Sequence, residues 1–288
     1  PFTDGITLDT TSPTIAGLDD DSVPTKENTW TWEADETSTF RFAIDQNPNG
    51  TPGGPYGDNS SATQSSGNGT YYLHVQARDE AGNQGPVRTV SAILDNTPPV
   101  ITSLATDADP CKSKTWTWGS IDADPSVCFR HVIDQHGAGS QLTDAYTALN
   151  TATVDGVDGI WYLHVQAQDR AGNESSIKTV AVLMDNTAPN TEIEYSPALP
   201  TWNEVMATLL PDEPVVVVNN DGELAHPFQA NGQFAFELSD PAGNTSSVTA
   251  TVNWIAALSW GSPASVFYGQ PLDAGQLNAT SNVSGTFE

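Results

Sequence analysis

The sequence predicts an all-β chain, a series of tandem β-sandwich domains in an elongated array, and three observations predict it. Of the 288 residues only 16% are Asp, Glu, Lys or Arg, against about 25% in an ordinary soluble domain, while Thr, Ser, Asn, Asp, Gly and Pro abound. Short runs of alternating apolar and polar residues, bounded by turn formers, recur along the chain, as expected of strands that show one face to a core. The chain also repeats itself with a period of 86 to 90 residues, which marks an array of similar units.

The copies can be matched residue by residue. Thr29-Trp30-Thr31-Trp32 returns as Thr115-Trp116-Thr117-Trp118, and Phe40 to Gln46 returns as Phe129 to Gln135. Tyr71-Tyr72-Leu73-His74-Val75-Gln76-Ala77-Arg78-Asp79 returns as Trp161-Tyr162-Leu163-His164-Val165-Gln166-Ala167-Gln168-Asp169. A third, shorter copy carries Phe234-Ala235-Phe236-Glu237-Leu238-Ser239-Asp240. Each of these runs ends in Asp-x-Ala-Gly-Asn, and each unit is introduced by a linker beginning at Asp9, Asp95 or Asp185. The expected domains are therefore 9–94, 95–184 and a shorter 185–256, with 1–8 as a leading strand or the end of a preceding domain.

Within a unit, Leu73, Val75 and Ala77 fall on one strand face with Tyr71, and that face is the expected core. His74 and Gln76 fall on the other, so His74 and its counterpart His164 are expected at the surface. The Gly and Asn of Asp-x-Ala-Gly-Asn tolerate positive φ and mark the hairpin between the last two strands. Residues 46–70 read as a long irregular excursion with one short edge strand. Trp30, Trp32, Trp116 and Trp118 alternate with Thr on a central strand and are expected in the core.

The linker Asp95-Asn96-Thr97-Pro98-Pro99, the Trp-Thr-Trp strand and Leu-x-Val-x-Ala-x-Asp-x-Ala-Gly-Asn resemble the bacterial Ig-like repeats of large surface proteins and adhesins, over roughly residues 9–255. Residues 257–288 resemble the first half of another bacterial Ig-like repeat type, a partial domain. The resemblance implies tandem immunoglobulin-like β-sandwiches at the bacterial cell surface or in the extracellular medium, with further Ig-like repeats of the same chain as neighbours.

Charge narrows the partners. Against 36 acidic residues stand 9 Lys and Arg, a formal net charge of −27, which repels a nucleic-acid backbone and an anionic membrane surface. No apolar run approaches the roughly 20 residues that span a bilayer. Solubility or high-salt habitat accounts for such acidity equally well, and cations are the natural partners.

A seven-strand sandwich with alternating strand directions brings its N-terminus, B–C turn and F–G turn to one end. The linker acids should then converge with the turns of the domain they enter. In the first domain these are Asp9, Asp35, Glu36, Asp79 and Asn83. The second set is Asp95, Asn96, Asp122, Asp124, Asp169 and Asn173, and the third is Asp185, Asn186, Asp212, Glu213, Asp240 and Asn244. Hard oxygens from several turns suit Ca²⁺, which takes six to eight ligands in irregular geometry, and an ion there would stiffen the junction. The competing reading is that these Asp and Asn side chains brace their own turns.

Cys111 and Cys128 form a disulfide or stand as two free thiols. A strand between them would separate their Cα atoms by more than the roughly 6 Å a disulfide needs. No nucleophile elbow or His/Cys metal pattern is present, so no enzyme is expected. The expected role is a non-catalytic structural or adhesive stalk segment. Two alternatives remain open: a carbohydrate-binding or accessory module of a secreted enzyme, engaging a surface glycan, and a filament protomer exchanging strands with neighbouring protomers.

Overall fold

Alternation along the chain decides which way each strand faces, and the turns decide where it stops. The computed structural model describes residues 8–199, 201, 203–253, 258–260, 265, 268–269, 271 and 279–281, and every regular element among them is a strand. Among these residues no helix is long and apolar enough to cross a membrane.

The first repeat runs β1 (Ile15–Ala16), β2 (Asp21–Thr25), β3 (Asn28–Thr31), β4 (Glu33–Ala34), β5 (Ser38–Asp45), β6 (Ser61–Gln64), β7 (Gly69–Asp79) and β8 (Arg88–Leu94). One layer pairs β1 with β4 and β3 with β6, and the other is ordered β2-β8-β7-β5. All pairs are antiparallel except β2 with β8. Leu73, Val75 and Ala77 of β7 are fully buried and meet Trp30, Trp32, Phe40, Val90, Ala92 and Leu94 in one apolar cluster. Each such large side chain contributes about 1.5–3 kcal/mol by leaving water. Trp32 packs edge-on against Phe40 and Phe42, with ring centroids 6.2 and 5.4 Å apart.

The second repeat repeats this order as β9 (Val100–Thr102), β10 (Ser113–Thr117), β11 (Gly119–Ile121), β12 (Cys128–Asp134), β13 (Thr151–Asp155), β14 (Gly159–Gln168) and β15 (Lys178–Met184). Its sheets are β9–β11, β10–β13 and β12-β14-β15. Trp116 and Trp118 are buried as their counterparts are, and His131 lies against Trp118 with ring centroids 5.3 Å apart. The third repeat has β16 (Thr191–Ser196), β17 (Val205–Pro211), β18 (Val216–Val217), β19 (Ala225–Phe228), β20 (Gly232–Ser239) and β21 (Thr245–Val252). They form the sheets β16-β17-β19 and β18-β20-β21 around Val205, Ala207, Leu209, Phe236, Leu238 and Val252. Beyond it, β22 (Leu258–Trp260) pairs antiparallel with β23 (Ala279–Ser281). Of the expected partial domain only these strands and residues 265, 268–269 and 271 are among the described residues, and of the leading segment 1–8 only Leu8.

The chain forms two compact units. One holds residues up to Ala105 with Thr115–Ala152 and Tyr162–Val180, and the other holds Thr106–Lys114, Thr153–Trp161 and the chain from Ala181 onward. The division falls inside the second repeat, and the linkers at Asp95 and Asp185 each lie within a unit.

The expectation for the strand histidines is corrected. His74 and His164 are 0% and 2% exposed, although both point away from the sandwich core. The excursion after β5 folds back over this face. His74 Nε2 lies 3.0 Å from the Asn47 carbonyl and 3.3 Å from Asp45 Oδ1, and Nδ1 lies 2.9 Å from Thr89 Oγ1. His164 repeats the arrangement with the His136 carbonyl at 3.0 Å and Thr179 Oγ1 at 2.8 Å. Cys111 and Cys128 are both free and half-buried. Cys111 bridges in parallel to Met184 while Cys128 opens β12.

Candidate functional site

The turn between β7 and β8 is built by its own sequence. Asp79 Oδ1 accepts the Asn83 amide at 2.8 Å and Oδ2 accepts the Asn83 side-chain amide at 2.8 Å. Gly82 sits at φ 96° to close the turn, a region that favours glycine. Asp169–Asn173 and Asp240–Asn244 repeat both bonds at 2.7–2.8 Å, with Gly172 and Gly243 at φ 86° and 81°. The linker aspartates are braced too, Oδ1 of Asp9, Asp95 and Asp185 accepting the amides of Thr11, Thr97 and Thr187 at 3.0, 2.9 and 3.1 Å. These bonds fix the carboxylates and leave lone pairs on every oxygen.

The folding of each unit then brings three such carboxylates together. Asp9, Glu36 and Asp79 place one oxygen each within 4.8 Å of one another, and so do Asp95, Asp122 and Asp169, and Asp185, Glu213 and Asp240. Asp79, Asp95, Asp169 and Asp240 are buried. Among the described residues none of the nine pairs with a Lys, Arg or His within 4.0 Å. Oδ2 of Asp122 is buried without a hydrogen-bond partner.

Electrostatics records the crowding. Burial, then the charges of Asp9, Asp79 and Asp35, push the Glu36 carboxyl above its ordinary value. Burial, then Asp185, Asp240, Asp212 and Asp158, do the same to Glu213. For Asp79 burial works against the charge, but the bonds from Asn83 and the amides of Gly82 and Ala81 outweigh it and hold its pKa low.

The other expected site residues lie elsewhere. Asp35 accepts the Thr14 amide at 2.8 Å and the Thr14 hydroxyl at 2.6 Å, and Asp212 accepts the Asn190 amide at 3.1 Å, so both anchor the first strand of their repeat. Asp124 caps its own turn through the Ser126 amide at 2.8 Å. Asn83, Asn173 and Asn244 donate their side-chain amides to the linker carbonyls of Asp9, Asp95 and Asp185 at 3.1, 2.9 and 3.0 Å. Asn96 and Asn186 turn back to the preceding repeat, the first donating to the carbonyls of Lys26 and Gly67 and the second to those of Lys112 and Gly156. Sequence reasoning missed Asn68 and Asp158, whose side chains accept the Asn96 and Asn186 amides at 2.7 and 2.5 Å. Each lies 28 residues before the linker Asn it meets, and that shared offset was the available signal.

Oxygen-only donors, one of them buried and unpartnered, fit a hard divalent cation of irregular coordination and do not fit a soft metal. The linker aspartate, one B–C carboxylate and the F–G aspartate would hold it; Asp122 accepts the Asp124 amide through Oδ1 at 2.8 Å and keeps Oδ2 unpartnered.

Fold and repeats define a chain of tandem immunoglobulin-like β-sandwiches. Residues 13–96 and 215–256 match the family model of the bacterial Ig-like domain. No curated protein matches it. Among solved structures it is similar to the I-band fragment I67–I69 of titin, at 13% identity and TM-score 0.43, over 84% of this chain and 98% of that one. It is also similar to the fibronectin(III)-like modules of Clostridium thermocellum CbhA, at 16% and 0.28 over 60% and 94%. The tetra-tandem repeat in the extending region of a large adhesion protein matches at 15% and 0.27 over 84% and 74%.

Proposed function

We propose that the chain is a non-catalytic, extracellular stalk segment of a bacterial surface or adhesive protein, in which Ca²⁺ bound at the three carboxylate groups stabilises the junctions between repeats. The observation that carries this reading is the recurrence of one oxygen cluster at one place in three successive units, each without a Lys, Arg or His within 4.0 Å of its carboxylates among the described residues. Three carboxylates in contact repel one another, and a divalent ion converts that repulsion into attraction. The family match supports the structural role. Burial of Trp30, Trp32, Trp116 and Trp118 at 3–4% exposure removes the aromatic platform that a glycan-binding reading would draw from these strands.

Thermal unfolding in EDTA and in millimolar Ca²⁺ tests the proposal. An ion at a hundred times its dissociation constant adds about 2.7 kcal/mol per site, so a rise of several degrees is expected. Identical unfolding curves with and without Ca²⁺ would remove the calcium reading and leave the acidity as a matter of solubility.

A further inference from the structure

We infer that the linkers at Asp95 and Asp185 are each clamped to both flanking repeats by the protein's own hydrogen bonds, independently of any ion, so that the oxygen cluster at each is already assembled before a cation arrives. The clamp goes beyond the calcium reading and stands on different atoms.

At the first of these two, the Asp95 amide donates to the Thr25 carbonyl at 2.9 Å. The Asn96 amide donates to Asn68 Oδ1 at 2.7 Å, and the Asn96 side chain donates to the carbonyls of Lys26 and Gly67 at 3.0 and 2.9 Å. All of these acceptors belong to the repeat before the linker. The Asp95 carbonyl is taken from the other side by Asn173 Nδ2 at 2.9 Å, and Asn173 is 6% exposed. Two adjacent residues thus hold five bonds, four backward and one forward. At the second linker the Asp185 amide donates to the Cys111 carbonyl at 3.0 Å, and the Asn186 amide donates to Asp158 Oδ1 at 2.5 Å. Asn186 Nδ2 donates to the carbonyls of Lys112 and Gly156 at 3.4 and 2.7 Å, and Asn244 Nδ2 takes the Asp185 carbonyl at 3.0 Å.

A lysine adds a second arm. Lys112 Nζ donates to the Gly243 carbonyl, in the F–G turn of the next repeat, at 2.5 Å. Lys26 reaches the equivalent turn, its Nζ 3.9 Å from where a Cβ on Gly172 would stand. Each lies 17 residues after the aspartate that opens its own repeat, in a chain with only 9 basic residues. Neutral amides and a lysine hold these joints, and chelation removes none of them. Each linker accordingly lies inside a compact unit while the division runs through the second repeat.

Amide hydrogen exchange on the full chain in EDTA tests the clamp. In the wild type, amides 95–97 and 185–187 are expected to exchange about tenfold or more slowly than an unstructured chain. Asn68→Ala, which removes the acceptor of the Asn96 amide, is expected to release amide 96 and leave 185–187 protected, and Asp158→Ala, which removes the acceptor of the Asn186 amide, to release amide 186 and leave 95–97 protected. Protection retained in β7 and β20 shows that each variant is folded. Linker amides that exchange at the unstructured rate in the wild type, or that keep their protection in the variants, would overturn the clamp. Adding Ca²⁺ reads the ion separately: failure of protection to respond to Ca²⁺ bears on the calcium reading alone.

Discussion

The ring of His74 and the carbonyl of Asn47, 3.0 Å from its Nε2, turn an outward-facing strand position into a fully buried one. The carbonyl only accepts, so Nε2 carries the proton and Nδ1 meets Thr89. His74→Ala removes the ring's bonds to Thr89, Asp45 and Asn47, whose carbonyl keeps the Gly50 amide at 3.0 Å, and it is expected to lower stability and loosen the excursion after β5. Gly50→Ala disturbs the same place from the loop side, because its Cβ would stand 2.5 Å from both Asp45 Oδ2 and His74 Nε2. Thermal unfolding and hydrogen exchange over residues 46–60 check both variants.

Asp35 and Glu36 are neighbours with different work. Asp35→Ala removes two bonds to Thr14 and is expected to lower the melting temperature slightly while leaving Ca²⁺ binding at the first cluster in place. Calorimetric titration of the variant with Ca²⁺ checks this.

Glu36→Gln and Glu213→Gln should show the opposite pattern. Both carboxyls are held above their ordinary value by burial and by neighbouring acids, so their ionisation opposes folding near neutral pH. In EDTA each variant is expected to melt higher than wild type, and in Ca²⁺ to gain less. A melting temperature that falls in EDTA contradicts the crowding described above.

The pH dependence in EDTA combines two signs. The raised Glu36 and Glu213 weaken the fold above their folded pKa values, and this penalty disappears as pH falls through those values towards the ordinary 4.5. The carboxyls of Asp20, held low by bonds from Ser91, and of Asp107, held low by Lys114, contribute stability that is present above the ordinary 3.8 and lost as pH falls through their folded values. Melting temperature is expected to rise slightly from neutral pH towards about 4.5 and then fall below about 3.8, measured by scanning calorimetry.

Strand alternation and the repeat made the sandwich legible, because inward positions such as Leu73, Val75 and Ala77 obey a local rule. Strand parity likewise predicted that Asp9, Glu36 and Asp79 share one end. What parity left open was which turn residue faces inward. Asp35 and Glu36 differ by one position, and the bond to Thr14 decides between them. His74 was unreadable for another reason: its burial comes from an excursion of 15 residues after β5, whose path is set by tertiary contacts. The linker Asn side chains satisfy backbone carbonyls distant in sequence, which residue type alone does not announce.

Direct titration of the intact chain with Ca²⁺ tests the central claim most directly. Three ions per chain, one per carboxylate group, are expected, with loss of one ion in each of Asp79→Asn, Asp169→Asn and Asp240→Asn. Absence of any saturable binding up to millimolar Ca²⁺, or binding that these substitutions leave untouched, would contradict it.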